Sequence, residues 1–150
     1  MIKIIRTDSD NKDFIELVKQ LDAELAIRDG ADHAFYAQFN KTNTIKNVLV
    51  AYNGDIAVGC GAIREYESKV MEVKRMYVVP EARGKGIASN ILKELEKWVA
   101  ELFSEKCILE TGKNQPEAIA LYKKNGYMII PNYGQYARMD YSVCFEKKIL

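Results

Sequence analysis

Apolar and polar positions along the chain follow two periods, and the switches between them predict the elements. Residues 2–6 (IKIIR) read as a short strand. Phe14, Leu17, Val18, Leu21 and Leu25 recur at helical spacing, so a helix is expected to Ile27, capped by Ser9 or Asp10 and broken at Arg28-Asp29-Gly30. A shorter helix is expected around Asp32–Phe39. Residues 47–52 (NVLVAY) and 56–65 (IAVGCGAIRE) read as paired strands across the turn Asn53-Gly54-Asp55. Gly59 and Gly61 would let other backbone pack close. Residues 70–79 (VMEVKRMYVV) give the central strand, and a long helix runs from about Gly86 to Phe103. A strand at 106–110 follows. Pro116 suits the first turn of a helix that runs to Lys124 and ends at Asn125-Gly126. Residues 127–130 and 141–147 are the last strands.

This order predicts one α/β domain over residues 1–150, with a mixed, mainly antiparallel central sheet and helices on both faces. The strand–helix–strand unit from 70 to 110 should be a parallel, right-handed crossover. No repeat or low-complexity tract interrupts it.

Composition narrows the partners. The chain has 150 residues, 48% of them hydrophobic, enough for a real core. Its 22 basic and 21 acidic residues leave a net charge of +1. That balance argues against nucleic acid and anionic membrane surfaces as partners. No apolar run approaches the roughly 20 residues of a membrane helix. The start, MIKIIRTDSD, is too short and too soon charged for a signal peptide. Cys60, Cys107 and Cys144 each lie in apolar surroundings, so reduced, buried thiols and a cytoplasmic location are expected. With His33 as the only histidine and no Cys-x-x-Cys, no metal site or catalytic triad is expected.

The stretch PEARGKGIAS (80–89) stands where the central strand hands over to the long helix. A helix start leaves N–H groups without partners and is partly positive. Gly84 and Gly86 would let a ligand approach those groups, and Arg83 and Lys85 add charge. Together they suit an anion such as phosphate. A helix start with solvated basic residues is the alternative. The third small residue of a dinucleotide-binding turn is missing, and the Walker pattern is absent.

Arg83-Gly84-Lys85-Gly86-Ile87-Ala88 fits the Arg/Gln-x-x-Gly-x-Gly/Ala signature, and Gln115-Pro-Glu-Ala118-Ile-Ala-Leu-Tyr122 with Gly126-Tyr127 fits a second pattern at the expected separation. With the element order, these motifs make the chain resemble the GNAT superfamily of acetyl-CoA-dependent N-acetyltransferases. The likeness covers nearly the whole chain and is weakest over residues 20–45. Gln115 stands where many relatives have Asn, and Asn114 beside it could take the role.

The resemblance implies acetyl-CoA as co-substrate, with its diphosphate on the amides of Arg83, Gly84, Lys85, Gly86, Ile87 and Ala88, and on Ser89. Backbone of Met76, Tyr77, Val78 and Val79 would pair with the pantetheine arm, together with Asn114 or Gln115, Ala118 and Tyr122. The N–H of Val78 would serve as oxyanion donor. Tyr122 would be the general acid, protonated at neutral pH and able to quench a thiolate. Packing of its helix on the sheet is the structural alternative.

Glu72, in an otherwise apolar strand, is the candidate base. An ion pair with Lys74 competes with that role. Strand alternation puts Glu72, Lys74, Met76 and Val78 on one face if no bulge intervenes. Candidate acceptor contacts are Arg28, Tyr36, Tyr133 and Tyr136, with Glu24, His33 and Asn40 nearby in the pattern. Arg28 could clamp a carboxylate, or simply cap its helix. The expected acceptor is a small-molecule primary amine, with amino-acid-like amines among the candidates, and the chain a monomer or homodimer. An acetyltransferase acting on a peptide amine and a non-catalytic acyl-CoA sensor are the alternatives.

Overall fold

The computed structural model describes residues 1–30 and 44–150. The helix expected around Asp32–Phe39, with His33, Tyr36 and Asn40, lies outside the described residues. Among the described residues there are seven strands in one sheet, in the order β1-β2-β3-β4-β5-β7-β6. They are β1 (Ile2–Thr7), β2 (Asn47–Asn53), β3 (Ile56–Glu67), β4 (Val70–Val78), β5 (Lys106–Gly112), β6 (Met128–Ile130) and β7 (Ser142–Lys148). The helices are α1 (Lys12–Asp29), α2 (Ile87–Glu101) and α3 (Pro116–Lys124). Pairing is antiparallel for β1–β2, β2–β3, β5–β7 and β6–β7, and parallel for β4–β5. No described helix is long and apolar enough to cross a membrane.

Contacts gather the chain into two compact units, residues 1–64 with 73–95 and residues 65–72 with 96–150. In the first, α1 turns Phe14, Leu17, Val18 and Leu21 onto Val48, Val50, Cys60, Ala62 and Tyr77. Asn11, and neither Ser9 nor Asp10, caps α1: its Oδ1 accepts from the Phe14 N–H at 2.9 Å. Ser9 Oγ instead accepts from the N–H of Ile45, so it is spent on tying down a distant segment. Gly59 and Gly61 do make room, chiefly for side chains. A Cβ on Gly61 would stand 2.6 Å from Met76 Sδ and 2.9 Å from Ile91 Cγ2. Removing that Cβ lets α2 sit close to the sheet through Ile91 and Leu95.

In the second unit, β4 lies parallel to β5 from Val70 to Glu72 only. β5 pairs along its whole length with β7. Tyr127 and Lys147 both bind Glu96, at 2.9 Å each, which anchors the last two turns of α2 to the strands. All three cysteines are free and buried.

Candidate active site

The candidate residues fall in two groups, one in each unit. In the first unit, β4 ends at Val78, a short 3-10 turn spans Pro80–Ala82, and α2 begins at Ile87. Between them Gly84 and Gly86 adopt φ of +80° and +81°, which L side chains rarely take. An added Cβ at either position would meet nothing within 4 Å. The glycines therefore serve backbone shape and leave open space above it. Among the described residues, no backbone carbonyl takes up the N–H groups of Gly84 to Ala88 in a turn or loop bond, while the Asn90 amide bonds to Gly86. An open, amide-lined turn at a helix start fits a diphosphate.

The charge in this turn is arranged differently from the sequence expectation. Arg83 folds back: its Nε donates to the Val78 carbonyl at 2.8 Å, and Nη2 pairs with Glu24 at 2.9 Å. Its guanidinium also lies over the Tyr77 ring, 5.6 Å from the centroid. Arg83 thus fixes the turn against β4 and α1, and its charge is already matched by Glu24. Glu24 enters as this partner, a pairing across 59 positions that sequence could not show.

Beyond Glu72, β4 continues without its β5 partner. The Val79 N–H donates to the Val58 carbonyl of β3 at 2.9 Å. Strand alternation then turns the Val78 N–H to the opposite edge. Val79 is corrected as a source of a free N–H, since β3 has taken it.

Arg75 has φ +60°, a left-handed value in mid-strand. After it, Met76 and Val78 lie over Gly61 and Gly59 beside Ile91, whereas Tyr77 joins the α1 core. Arg75 itself is buried and pairs with Asp22 of α1 through Nη1 at 3.1 Å and Nη2 at 3.3 Å.

In the second unit Glu72 is 1% exposed. Its Oε2 accepts from the Tyr133 hydroxyl at 2.6 Å. Tyr133 packs edge-on against Tyr66 at 5.2 Å and Tyr136 at 5.9 Å. Gly134 has φ +53°, and a Cβ there would stand 2.8 Å from the Tyr66 hydroxyl. Burial, then the Glu72 charge and hydrogen bond, push the Tyr133 phenol far above its usual range. Tyr66 was not foreseen, because the aromatic group forms across more than 60 residues of chain.

Tyr122 is buried on α3, its ring 5.8 Å from both Tyr127 and Phe145. Burial first and the Glu110 charge second raise its pKa, so it stays protonated throughout the physiological range. Gln115 precedes α3 without capping it by its side chain, and its amide lies near Gly112. Ala118 lies on the same helix. Arg28 stands in the last turn of α1 and is partly buried.

The strand–turn–helix at Gly84 and Gly86, on a mixed sheet with β4 parallel to β5, has the shape of a diphosphate-binding turn. A family model described as Acetyltransferase (GNAT) family matches residues 12–127. An IAA acetyltransferase from Azospirillum brasilense is 38% identical over 102 residues, 67% of either chain. The crystal structure of a Klebsiella pneumoniae protein taken to be an acyl-CoA N-acyltransferase is 31% identical, covers 100% of this chain and 99% of that one, and has a TM-score of 0.84. PaiA N-acetyltransferase from Thermoplasma acidophilum, solved with coenzyme A, is 20% identical with a TM-score of 0.71 over 99% of each chain, which shows a shared fold. The chain belongs to the GNAT acetyltransferase family. It is an acetyl-CoA-dependent acyltransferase.

Proposed function

We propose that the chain moves an acetyl group from acetyl-CoA to the primary amine of a small, amino-acid-like molecule, by direct attack while both are bound. The observation that carries the coenzyme half is the Gly84–Gly86 turn, whose backbone is shaped for an anion and whose amides are not spent on the fold. The amides of Gly84 to Ala88, with Ser89, would hold the diphosphate, since the Arg83 N–H is taken by the Pro80 carbonyl, and the edge of β4 away from β3 at Met76 to Val78 would hold the pantetheine arm. Asn114, Gln115 and Ala118 would line that arm.

When bound, acetyl-CoA supplies an activated acetyl thioester. The chain's largest contribution is positioning, worth up to about 7–11 kcal/mol for two well-fixed reactants. The Val78 N–H is the donor available where negative charge grows on the carbonyl oxygen. Tyr122, kept protonated by burial, holds a proton for the departing sulfur. Glu72, buried and bonded by the Tyr133 hydroxyl, is the base for the amine. Arg28 is the candidate clamp for an acceptor carboxylate. The free, buried thiols suit a reducing compartment such as the cytoplasm.

Thiol release from acetyl-CoA against a panel of primary amines, amino acids and short peptides tests this. Turnover with small amines, fastest for those bearing a carboxylate, is expected. Release with peptides alone would move the acceptor to the peptide class, and no release with any member would overturn the reading.

A further inference from the structure

Glu72 has a difficulty as a base: only 1% of it is exposed, so an acceptor amine in solution cannot rest against the carboxylate as the structure stands. Tyr133 covers it. The phenol oxygen lies 2.6 Å from Glu72 Oε2, within the short range of charge-assisted O–H···O bonds. Tyr133 is itself only partly buried, so one group touches both the hidden carboxylate and the outside.

We propose that Tyr133 is the relay through which Glu72 receives the acceptor's proton. The inference rests on the reading of Glu72 as base. The transfer balances without any redox partner. The amine N–H bond breaks as a new O–H bond forms at Tyr133 Oη. The original Tyr133 O–H bond breaks as its proton moves to Glu72 Oε2. Nitrogen keeps its electron pair for attack, the phenol is regenerated, and the carboxylate becomes a carboxylic acid. The two movements must be coupled, because the charges and burial around Tyr133 oppose a free phenolate.

The surroundings hold this phenol in place. Tyr66 of β3 presents an edge contact to one side of its ring and Tyr136 to the other. Gly134, the next residue, has a backbone shape and a clearance from the Tyr66 hydroxyl that a side chain would spoil. The titratable groups that face Tyr133 are Glu72 from β4, Cys144 from β7 and Tyr136 from its own turn, with the Tyr66 phenol from β3. Cys144 is pushed up to about 11, chiefly by burial, so it stays a neutral thiol while the relay works.

The test compares two nucleophiles: the fastest alkyl-amine acceptor from the panel above, which is protonated at neutral pH, and hydroxylamine, which is largely unprotonated there. Tyr133→Phe keeps the ring and its packing but removes the relay oxygen. Turnover number with the alkyl amine should fall at least tenfold at pH 7, while that with hydroxylamine falls less than threefold and the KM for acetyl-CoA is unchanged. The alkyl-amine loss should shrink as pH is raised and the amine deprotonates unaided. Glu72→Gln should show the same split. If Glu72→Gln splits the two nucleophiles and Tyr133→Phe does not, the relay is wrong and the base stands. If Glu72→Gln leaves both rates unchanged, the base reading fails and takes the relay with it. Equal losses with both nucleophiles in Tyr133→Phe would reduce Tyr133 to a packing residue and overturn the relay. For the parent protein alone, a linear dependence of turnover on deuterium fraction would overturn it too, since two protons in motion give a curved one.

Discussion

Gly86→Val addresses the coenzyme cradle directly. Gly86 sits at φ +81°, a conformation that a β-branched residue resists, so the folded state should lose about 1–3 kcal/mol. No collision adds to that figure, because a Cβ there meets nothing within 4 Å. At roughly 2–4 °C per kcal/mol for a chain of this size, Tm should drop by about 2–12 °C and the protein should still fold. Binding should suffer far more. The valine branches would occupy the space over the turn, where the diphosphate is expected. Charge-assisted hydrogen bonds are worth about 1.5–3 kcal/mol each, so loss of two weakens the coenzyme by about 3–6 kcal/mol, or about 10²- to 10⁴-fold. Thermal unfolding with increasing coenzyme A reads both effects. The parent should gain about 2.7 kcal/mol, or roughly 5–11 °C, at a hundredfold excess over Kd, and the variant almost nothing. A variant that starts from a lower Tm yet gains as much as the parent would refute the cradle.

Tyr122→Phe should lower turnover at least tenfold and leave coenzyme A affinity within a factor of two; parent-like turnover would remove Tyr122 as the acid. Asp22→Ala should strand the Arg75 guanidinium, whose side chain is 3% exposed and whose Nε already has no partner. Because the Asp22 side chain is 47% exposed, the loss should be about 2 kcal/mol instead of the ~3–5 of a fully buried pair, so Tm should fall by roughly 4–8 °C, and a change under 1 °C would contradict it. Burial pushes Cys60 and Cys107 up to about 12, and Cys144 up to about 11. A thiol whose folded pKa is raised contributes stability that is complete below its unfolded value near ~8.5 and is lost as pH climbs towards 11 and 12. Native protein should therefore resist thiol reagents at pH 8 until urea is added; rapid labelling of all three without denaturant would show the thiols accessible.

The elements were legible because their periods are clean. The spacing of Phe14, Leu17, Val18 and Leu21 is the core face of α1, and Ile87, Ile91, Leu95 and Val99 are buried along α2. Local chemistry was legible where glycine was needed, as at Gly84 and Gly86. The α1 cap was misplaced because Asp8, Ser9, Asp10 and Asn11 can all cap, and only a tertiary partner removes Ser9 from the choice. Arg75 carries no local signal for a left-handed backbone, so its positive φ within β4 was hidden. The pairs Arg83–Glu24 and Tyr133–Glu72 are fixed by strand and helix placement over 59 and 61 positions, a distance at which residue type alone specifies no partner.

The fold-back of Arg83 has a consequence for how this protein meets its medium. Because Glu24 already neutralises that guanidinium, grip on a coenzyme bound in the proposed cradle would come mostly from peptide dipoles, which neither titrate nor trade counterions. Affinity should thus change little between dilute and concentrated salt. The side chains of Lys85 and its neighbours are free to drift in sequence so long as the two glycines hold the turn.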